Sequence, residues 1–160
     1  AVLTFTGHAS WHAWGGKYIT ETLKNDVLFH LNDVPSLTNG YKLPVVLEFN
    51  CESSRFDHPG FDMLDEALAR KSNGGAIITF GPTSPGYTGS HEKLGLGFLT
   101  DLHSGEATAG TAMQAAKLYL SITDPLNLYL ADTYTILGDP GVKVQLEFPV
   151  GTIYLPVIKK

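Results

Sequence analysis

Two residues that could do covalent chemistry follow two apolar segments of the sequence. His8 comes after VLTFT (residues 2–6), and Cys51, the single cysteine of the chain, ends PVVLEFNC (residues 44–51). A free thiol has a pKa of about 8.5, so it is mostly protonated at neutral pH. A neighbouring imidazole can accept the thiol proton and later protonate a leaving amine, so a His8–Cys51 pair predicts acyl transfer. The alternative is that the two are unrelated residues at strand ends.

The segments before His8 and Cys51 are predicted to be strands of one α/β domain. They are rich in Val, Leu and Phe, and residues 44–51 show little polar alternation, which is typical of a strand covered on both faces. GGAIITFG (residues 74–81) is a third such strand. Strands that alternate with helices favour a largely parallel sheet, in which functional groups gather beyond the carboxyl ends of the strands. We therefore expect His8 and Cys51 to lie on the same edge of the sheet.

Helix and turn signals assign the rest of the chain. Apolar spacing predicts one helix in residues 61–71, with Asp62 as its cap, and a capping box of Thr111 and Gln114 opens another. The predicted helices are 61–71, 93–102 and 112–122, with weaker helical character in 19–31. Residues 81–90 are predicted to be a long Gly/Pro loop, and 134–140 and 142–148 to be closing strands. No internal repeat or linker occurs, so we predict one domain over residues 1–148 and a tail over 149–160.

Length, charge and cysteine content argue against several classes of protein. The chain has 160 residues, a net charge of −5 and no cluster of basic residues, which disfavours nucleic-acid binding. No apolar run reaches the roughly 18 residues that a membrane-spanning helix needs, so no transmembrane segment is predicted. The histidines lack the spacing of a zinc site and the acidic residues lack that of a calcium loop, so no metal site is predicted.

The start of the chain leads to a hypothesis about a partner. Ala1 is followed at once by a strand, without a polar lead-in. Natural domains seldom begin inside a core strand. We expect the chain to be a fragment or a processed product whose sheet is completed by strands upstream or on a second chain.

Side chains around the pair suggest how a substrate would be held. The backbone N–H groups of Ala9 and Cys51 are candidate donors to an oxyanion. Trp11 and Trp14 follow the histidine, and we expect one of them to line a substrate cleft, the alternative being that both cover the sheet edge. Glu48 lies in an apolar strand and needs a partner, either as an orienting group for His8 or in a structural salt bridge.

Four motifs together resemble the gingipain family of cysteine peptidases, which belongs to the caspase-like clan. They are GHASWHAW, LPVVLEFNCESSRF, LDEALARKSNGGAIITFG and YTILGDPGVKV, in the order of that family and spanning residues 2 to about 146. The resemblance implies a caspase-like α/β sandwich, with a mainly parallel sheet flanked by helices, of which this chain is the C-terminal portion. It also implies a cysteine endopeptidase in which Cys51 is the nucleophile and His8 the general base or acid.

The resemblance carries further expectations about substrate and partners. It assigns the loop with Thr83, Ser84 and Tyr87 to the primary specificity pocket of a polypeptide substrate. It implies an N-terminal chain or segment of the same precursor as a partner, and an extracellular or cell-surface location. No cofactor is required, although some relatives bind structural calcium. Ala9 stands where the family has a second glycine, and an alanine can supply the same backbone N–H.

Two other functions stay open at this point. CESSRFD (residues 51–57) resembles the sortase of the type IX secretion system, a branch of the same family that joins a cleaved chain to an acceptor. Hydrolysis and transpeptidation share an acyl-enzyme, so the dyad does not separate them. The second alternative is a non-catalytic, peptidase-like module that binds or scaffolds a surface protein.

Overall fold

The fold is an α/β arrangement built on a four-stranded sheet and a smaller three-stranded sheet. The structure, a computed structural model, describes residues 1–15 and 27–144. In chain order the described strands and α-helices are β1 (Val2–Thr6), β2 (Ala9–Ser10), β3 (Ala13–Gly15), β4 (Val27–His30), β5 (Val45–Phe49), α1 (Leu64–Arg70), β6 (Ile78–Pro82), α2 (Thr88–Leu102), α3 (Ala109–Thr123), α4 (Tyr129–Thr133) and β7 (Tyr134–Gly138).

The larger sheet is mainly parallel, as the sequence predicts. Its strand order is β1–β5–β6–β7, with β1, β5 and β6 parallel and β7 antiparallel to β6. The three parallel strands are those predicted from residues 2–6, 44–51 and 74–81. Because they run in the same direction, the residues that follow β1, β5 and β6 all emerge at one edge of the sheet.

Strand β5 is covered on both faces, which explains its continuous apolar sequence. Val45, Leu47 and Phe49 point into a core formed with α2 and α3. Val46 points the other way, into a second cluster that includes Trp14 and residues of α1. Such a strand offers no solvent-exposed face, so its period-2 alternation disappears.

The smaller antiparallel sheet is absent from the sequence predictions. Strand β3 lies between β2 and β4, and Ala13 pairs with Ser10 on one side and with His30 on the other. The prediction of weak helicity over residues 19–31 is wrong for 27–30, because Phe29 packs in the second core cluster as part of β4. Residues 31–36 form a 3-10 helix, and 19–26 lie outside the described residues.

Two helix starts differ from the predicted ones. Asp62 does not cap α1, since its carboxylate forms an ion pair with Arg70 at 2.6 Å, while the Glu66 carboxylate accepts a hydrogen bond from the Met63 amide at 2.9 Å. Helix α3 begins earlier than predicted. Its capping box is formed by Thr108 and Thr111, with amide-to-hydroxyl distances of 3.0 and 3.2 Å. That start buries Ala109 completely against the core.

Corrections of the same kind apply to the predicted loop and closing strands. Helix α2 begins at Thr88, so the Gly/Pro loop ends at Tyr87. The prediction for residues 134–140 is confirmed by β7, and the Asp139 carboxylate then accepts a hydrogen bond from the Gly141 amide at 2.8 Å. Within residues 142–144, Lys143 makes an isolated bridge to Thr108. Residues 145–148 and the predicted tail lie outside the described part of the chain.

Candidate active site

His8 and Cys51 follow neighbouring strands that are in matching register. In the parallel ladder of β1 and β5, Thr6 pairs with Phe49, and the Gly7 amide donates a hydrogen bond to the Phe49 carbonyl at 3.3 Å. The ladder ends at the Thr6–Phe49 pair, and His8 and Cys51 each come two residues after it. The structure therefore brings the two predicted dyad residues to the same edge of the sheet. His8 is exposed and Cys51 is half-buried.

The chain bends sharply directly after Cys51. Glu52 has a φ of 60°, in the left-handed region that L-residues with a side chain seldom adopt. The Arg55 guanidinium then forms ion pairs with Glu52 at 3.2 Å and with Asp57 at 3.5 Å. Strand β5 already ends at Phe49, and this bend turns the chain away directly after Cys51.

The backbone after His8 folds into the β2–β3 hairpin. The Gly15 amide donates a hydrogen bond to the His8 carbonyl at 2.8 Å, and Ala9 pairs with Trp14. Bonded and non-bonded pairs alternate along an antiparallel ladder, so Ala9 belongs to a non-bonded pair and its amide points away from β3.

Glu48 lies beneath the Cys51 loop and is fully buried, with 0% exposure. Its Oε2 accepts hydrogen bonds from Trp14 Nε1 at 2.8 Å and from Asn50 Nδ2 at 2.5 Å. No ion pair to Glu48, and no hydrogen bond between it and His8, occurs among residues 1–15 and 27–144. The predicted salt bridge is therefore wrong for the described residues, and the predicted orienting role lacks a direct contact.

The partner of Glu48 is Asp65, a residue that the sequence analysis missed. Asp65 is also 0% exposed, interacts directly with Glu48, and accepts a hydrogen bond from the Ser54 hydroxyl. Desolvation raises the pKa of both carboxyls, and the charge of Asp65 raises the pKa of Glu48 further. Asp65 shares the buried face of α1 with Leu64 and Leu68. That helical spacing is the signal that distinguishes it from an ordinary first-turn acidic residue.

Trp11 and Trp14 have different environments. Trp14 is 8% exposed, stacks on Phe5 with ring centroids 5.0 Å apart and donates to Glu48. It also lines a cavity together with Ala1 and Pro44, which does not include the Cys51 loop, and its role as a substrate contact stays a prediction. Trp11 is half-buried, with its ring 4.3 Å from that of Phe61. Of the two tryptophans, Trp11 is the more exposed candidate for the cleft wall.

The loop after β6 contributes the other predicted substrate contacts. The Thr83 amide and hydroxyl both donate to the Thr133 carbonyl at 2.9 Å, which ties the loop to the end of α4. Ser84 is half-buried, and its hydroxyl donates to the carbonyl of the next residue at 3.3 Å. Tyr87 is 73% exposed at the start of α2. These three residues follow a strand whose carboxyl end lies at the edge that also carries Cys51.

Tyr129 is a further residue that sequence reasoning missed. It is 41% exposed, and its pKa is raised by desolvation and by the charges of Tyr87, Cys51 and Asp124. Those influences bring Tyr129 within electrostatic reach of both Cys51 and Tyr87. No sequence motif identifies this residue, because it lies on the short helix α4, far along the chain from Cys51.

His12, the other histidine of the hairpin, has partners of its own. Its Nδ1 lies 3.2 Å from the Ser10 hydroxyl, and its ring centroid is 5.2 Å from that of His30. Partial burial and the neighbouring His30 lower its pKa. His8, and not His12, comes at the same number of residues after the β1–β5 ladder as Cys51.

The described side chains and helices bear on metal binding and on membrane insertion. No group of three or more His, Cys, Asp or Glu side chains suited to a metal ion occurs in residues 1–15 and 27–144. No helix in that same part of the chain is long and apolar enough to cross a membrane. The expectation about structural calcium stays a prediction.

Comparison with known proteins now bears on this arrangement. The sequence profile of peptidase family C25 matches residues 1–145, which is most of the chain. The chain belongs to peptidase family C25. The resemblance to gingipains is thereby confirmed. A search of curated proteins finds no match.

Solved structures of proteases have the same fold. The chain superimposes on the Arg-specific cysteine proteinase gingipain R with a TM-score of 0.72 and 20% identity, over 90% of this chain and 33% of that one. For the complex of Porphyromonas gingivalis RgpB pro- and mature domains the TM-score is 0.77 at 21% identity, over 90% and 34%. A further protease gives 0.74 at 18%, over 88% and 34%.

These superpositions confirm the caspase-like α/β fold, with its mainly parallel sheet flanked by helices. The chain spans about a third of the length of each of these structures.

Proposed function

We propose that this C25 chain supplies the catalytic dyad of a cysteine endopeptidase, with Cys51 as nucleophile and His8 as general base and acid. The observation that supports the proposal is the parallel pairing of β1 with β5, since His8 and Cys51 each come two residues after the last pair of that ladder. Membership of a cysteine peptidase family supports the same chemistry.

The proposed reaction proceeds through a thioester. His8 takes the thiol proton of Cys51, and the thiolate sulfur attacks the carbonyl carbon of the scissile peptide bond. The C–N bond breaks as the His8 imidazolium gives its proton to the leaving amine. Water then attacks the thioester carbonyl as His8 takes its proton. The C–S bond breaks, and the His8 imidazolium returns the proton to the Cys51 sulfur as the product acid leaves.

The oxyanion formed in each attack needs fixed hydrogen-bond donors. We propose the amides of Ala9 and Cys51 for this role. The geometry of the hairpin supports Ala9, because its amide points away from β3 and is not used in that ladder. A backbone donor also explains why alanine can replace the glycine of the family.

We propose that the substrate lies between the hairpin and the loop after β6. Trp11 would form one wall, and Thr83, Ser84 and Tyr87 the other, with Tyr129 beside Cys51. Exposed aromatic rings suit this purpose because they offer a large contact area at low cost in conformational entropy. The described side chains of this loop, residues 83–87, carry no charge, so they set no preference for a charged substrate residue.

We propose that the chain acts with an N-terminal segment of the same precursor, outside the cytoplasm or on the cell surface. A relative was solved as a complex of pro- and mature domains, which supports a partner of this kind. Intact mass spectrometry of the native protein tests the partner, since an associated second polypeptide would add its own mass. Immunodetection on intact cells tests the location.

Activity-based labelling tests the dyad. The native protein is treated with peptidyl acyloxymethyl ketones that differ in the residue preceding the scissile bond, and labelled peptides are mapped. We expect labelling at Cys51, lost in Cys51→Ala and in His8→Ala and retained in the control His12→Ala. Labelling elsewhere, or labelling that survives His8→Ala unchanged, would contradict the proposed dyad.

A peptide-cleavage assay with an added amine, read together with the labelling, separates the two other functions. If product forms with an added amine incorporated in place of water, the enzyme is a transpeptidase of the sortase type. If a folded, thiol-reduced protein reacts with no probe and cleaves no peptide, the chain is a binding or scaffold module.

A further inference from the structure

Two buried carboxyl groups lie directly under the loop that carries Cys51, and the proposed reaction does not use them. Glu48 on β5 and Asp65 on α1 are each 0% exposed. No lysine, arginine or histidine forms an ion pair with either group within residues 1–15 and 27–144. Two adjacent carboxylates without a counter-ion are strongly disfavoured in a protein interior. Some other charge must therefore compensate them.

The hydrogen bonds around the pair identify one oxygen of each carboxyl that lacks a donor. Glu48 Oε2 accepts from Trp14 and Asn50, and Asp65 Oδ2 accepts from the Ser54 hydroxyl. Glu48 Oε1 and Asp65 Oδ1 are buried with no hydrogen-bond partner when both groups are treated as acceptors. The two groups interact directly. A single proton between them would satisfy both orphaned oxygens.

We propose that Glu48 and Asp65 share one proton and that this carboxyl pair positions the loop carrying Cys51. The proton belongs to Glu48 Oε1, which donates to Asp65 Oδ1. Glu48 Oε2 is then a carbonyl oxygen with two lone pairs, which matches its two donors, Trp14 and Asn50. Asp65 is the anion, and the Ser54 hydroxyl, which donates to its Oδ2, stabilises it.

The residues bonded to the pair are those that flank Cys51. Asn50 precedes the cysteine and donates to Glu48, and Ser54, which follows it together with Ser53, donates to Asp65. All three are at most 1% exposed. Hydrogen bonds to the two carboxyls therefore hold the chain on both sides of Cys51, through Asn50 before it and Ser54 after it. The positioning role rests on the proposed function, whereas the shared proton does not.

Other titratable groups near the pair do not supply the missing positive charge. Tyr134 on β7 donates its hydroxyl to the Glu48 carbonyl at 3.1 Å, and its pKa is raised by burial and by Glu48. His91 on α2 packs against the Tyr134 ring, and burial lowers its pKa, which favours the neutral form. Cys51 is the remaining titratable group near the pair, and a thiol carries no positive charge. The other elements present Phe5, Trp14 and Thr79, none of which titrates.

A shared proton has a defined linkage to stability. Unfolded Glu and Asp ionise with a pKa near 4, whereas the pKa of both is raised in the fold. Above roughly pH 5 the folded protein then holds one more proton than the unfolded chain. The pair's contribution is fully present below the unfolded pKa and is lost as pH rises through the folded pKa, by about tenfold in the unfolding equilibrium constant per pH unit.

Urea unfolding of the full protein at pH 5, 6 and 7 tests the proton. Glu48→Gln keeps the shape and is neutral at every pH, and Asp65→Asn is the second variant should the first fail to fold. Glu92→Gln, an exposed carboxyl on α2, is the control. We expect the unfolding constant of wild type relative to Glu48→Gln to rise about tenfold per pH unit, while Glu92→Gln follows wild type.

Two outcomes would overturn the shared proton. One is a ratio of unfolding constants that stays the same from pH 5 to 7 in both variants. The other is stabilisation of wild type by added CaCl2 that Glu48→Gln abolishes, since a cation would then neutralise the pair.

The positioning role is tested with Glu48→Ala, in which Trp14 and Asn50 lose their acceptor. We expect kcat to fall at least tenfold with little change in KM, with recovery in Glu48→Gln. The rate of Cys51 alkylation by iodoacetamide, measured on folded protein, should change in Glu48→Ala and not in Glu48→Gln. A loss of stability alone, with kcat and alkylation unchanged, would refute positioning. Without any wild-type turnover, alkylation still tests this role, so its outcome is distinguishable from failure of the proposed function.

Discussion

His8 and Cys51 occupy matching positions two residues beyond the ends of the parallel strands β1 and β5. The match follows from a ladder in which Val2 pairs with Val45 and Thr6 with Phe49. Each residue is therefore only two positions from a strand of the same ladder. Such placement suits covalent chemistry, which requires the nucleophile and its base to be held in one geometry.

The histidine pair of the hairpin offers a matched comparison. His8→Ala should lower kcat by about 10²–10⁴, the usual contribution of a general acid–base group. His12→Ala should change kcat by less than about threefold, because His12 contacts Ser10 and His30 instead of the Cys51 edge. Steady-state kinetics on a peptide substrate measures both. A larger loss of kcat in His12→Ala than in His8→Ala would show that His12, and not His8, is the base.

Trp14→Phe should destabilise the fold. The stacking surface on Phe5 is partly retained, but the indole N–H that donates to Glu48 is lost. Loss of one partner of a buried hydrogen bond costs about 1–3 kcal/mol. Urea unfolding measures the change. Trp11→Phe is the control and should cost less than about 1 kcal/mol. Equal losses in the two variants would contradict a stabilising contribution of the hydrogen bond from Trp14 to Glu48.

Gly81→Ala should also be destabilising, for a steric reason. A Cβ at this position would lie 2.6 Å from Asp65 Oδ2, 2.8 Å from the Ser54 hydroxyl and 2.9 Å from the Ser53 hydroxyl. Overpacking of this kind costs about 1–3 kcal/mol. Thermal unfolding would measure the loss of stability, and the rate of Cys51 alkylation would show whether the loop that carries Cys51 has moved. Gly89→Ala, with nothing within 4 Å of its Cβ and a helical position, should instead stabilise by up to about 1 kcal/mol.

Substitutions of Tyr87 and Tyr129 should affect substrate binding more than stability. Tyr87→Ala and Tyr129→Ala remove exposed rings, so each should change the free energy of unfolding by less than about 1 kcal/mol. KM should rise about threefold to thirtyfold for substrates that fill the pocket. Tyr41→Ala, at a fully exposed residue outside this loop, is the control. Unchanged KM in both variants would place the substrate elsewhere.

Several features of the fold could be predicted from sequence because they depend on local patterns. The three parallel strands were identified from apolar runs, and α1 from its helical spacing. The small sheet was missed, since β2 has two residues and β3 three, too few to produce a periodic signal. Sequence patterns misplace the cap of α1 because they do not show that the Asp62 carboxylate pairs with Arg70 instead of with the helix amides.

The sequence by itself determined the candidate chemistry: a single thiol, a histidine after a strand, and the motif order of family C25. Only the tertiary structure decided which tryptophan is buried, that Glu48 and Asp65 are neighbours, and that Tyr129 lies near Cys51. Residue type and strand endings are local properties and can be read along the chain. The pairing of Glu48 with Asp65 instead requires a strand and a helix to pack together, and so it exists only once the chain has folded.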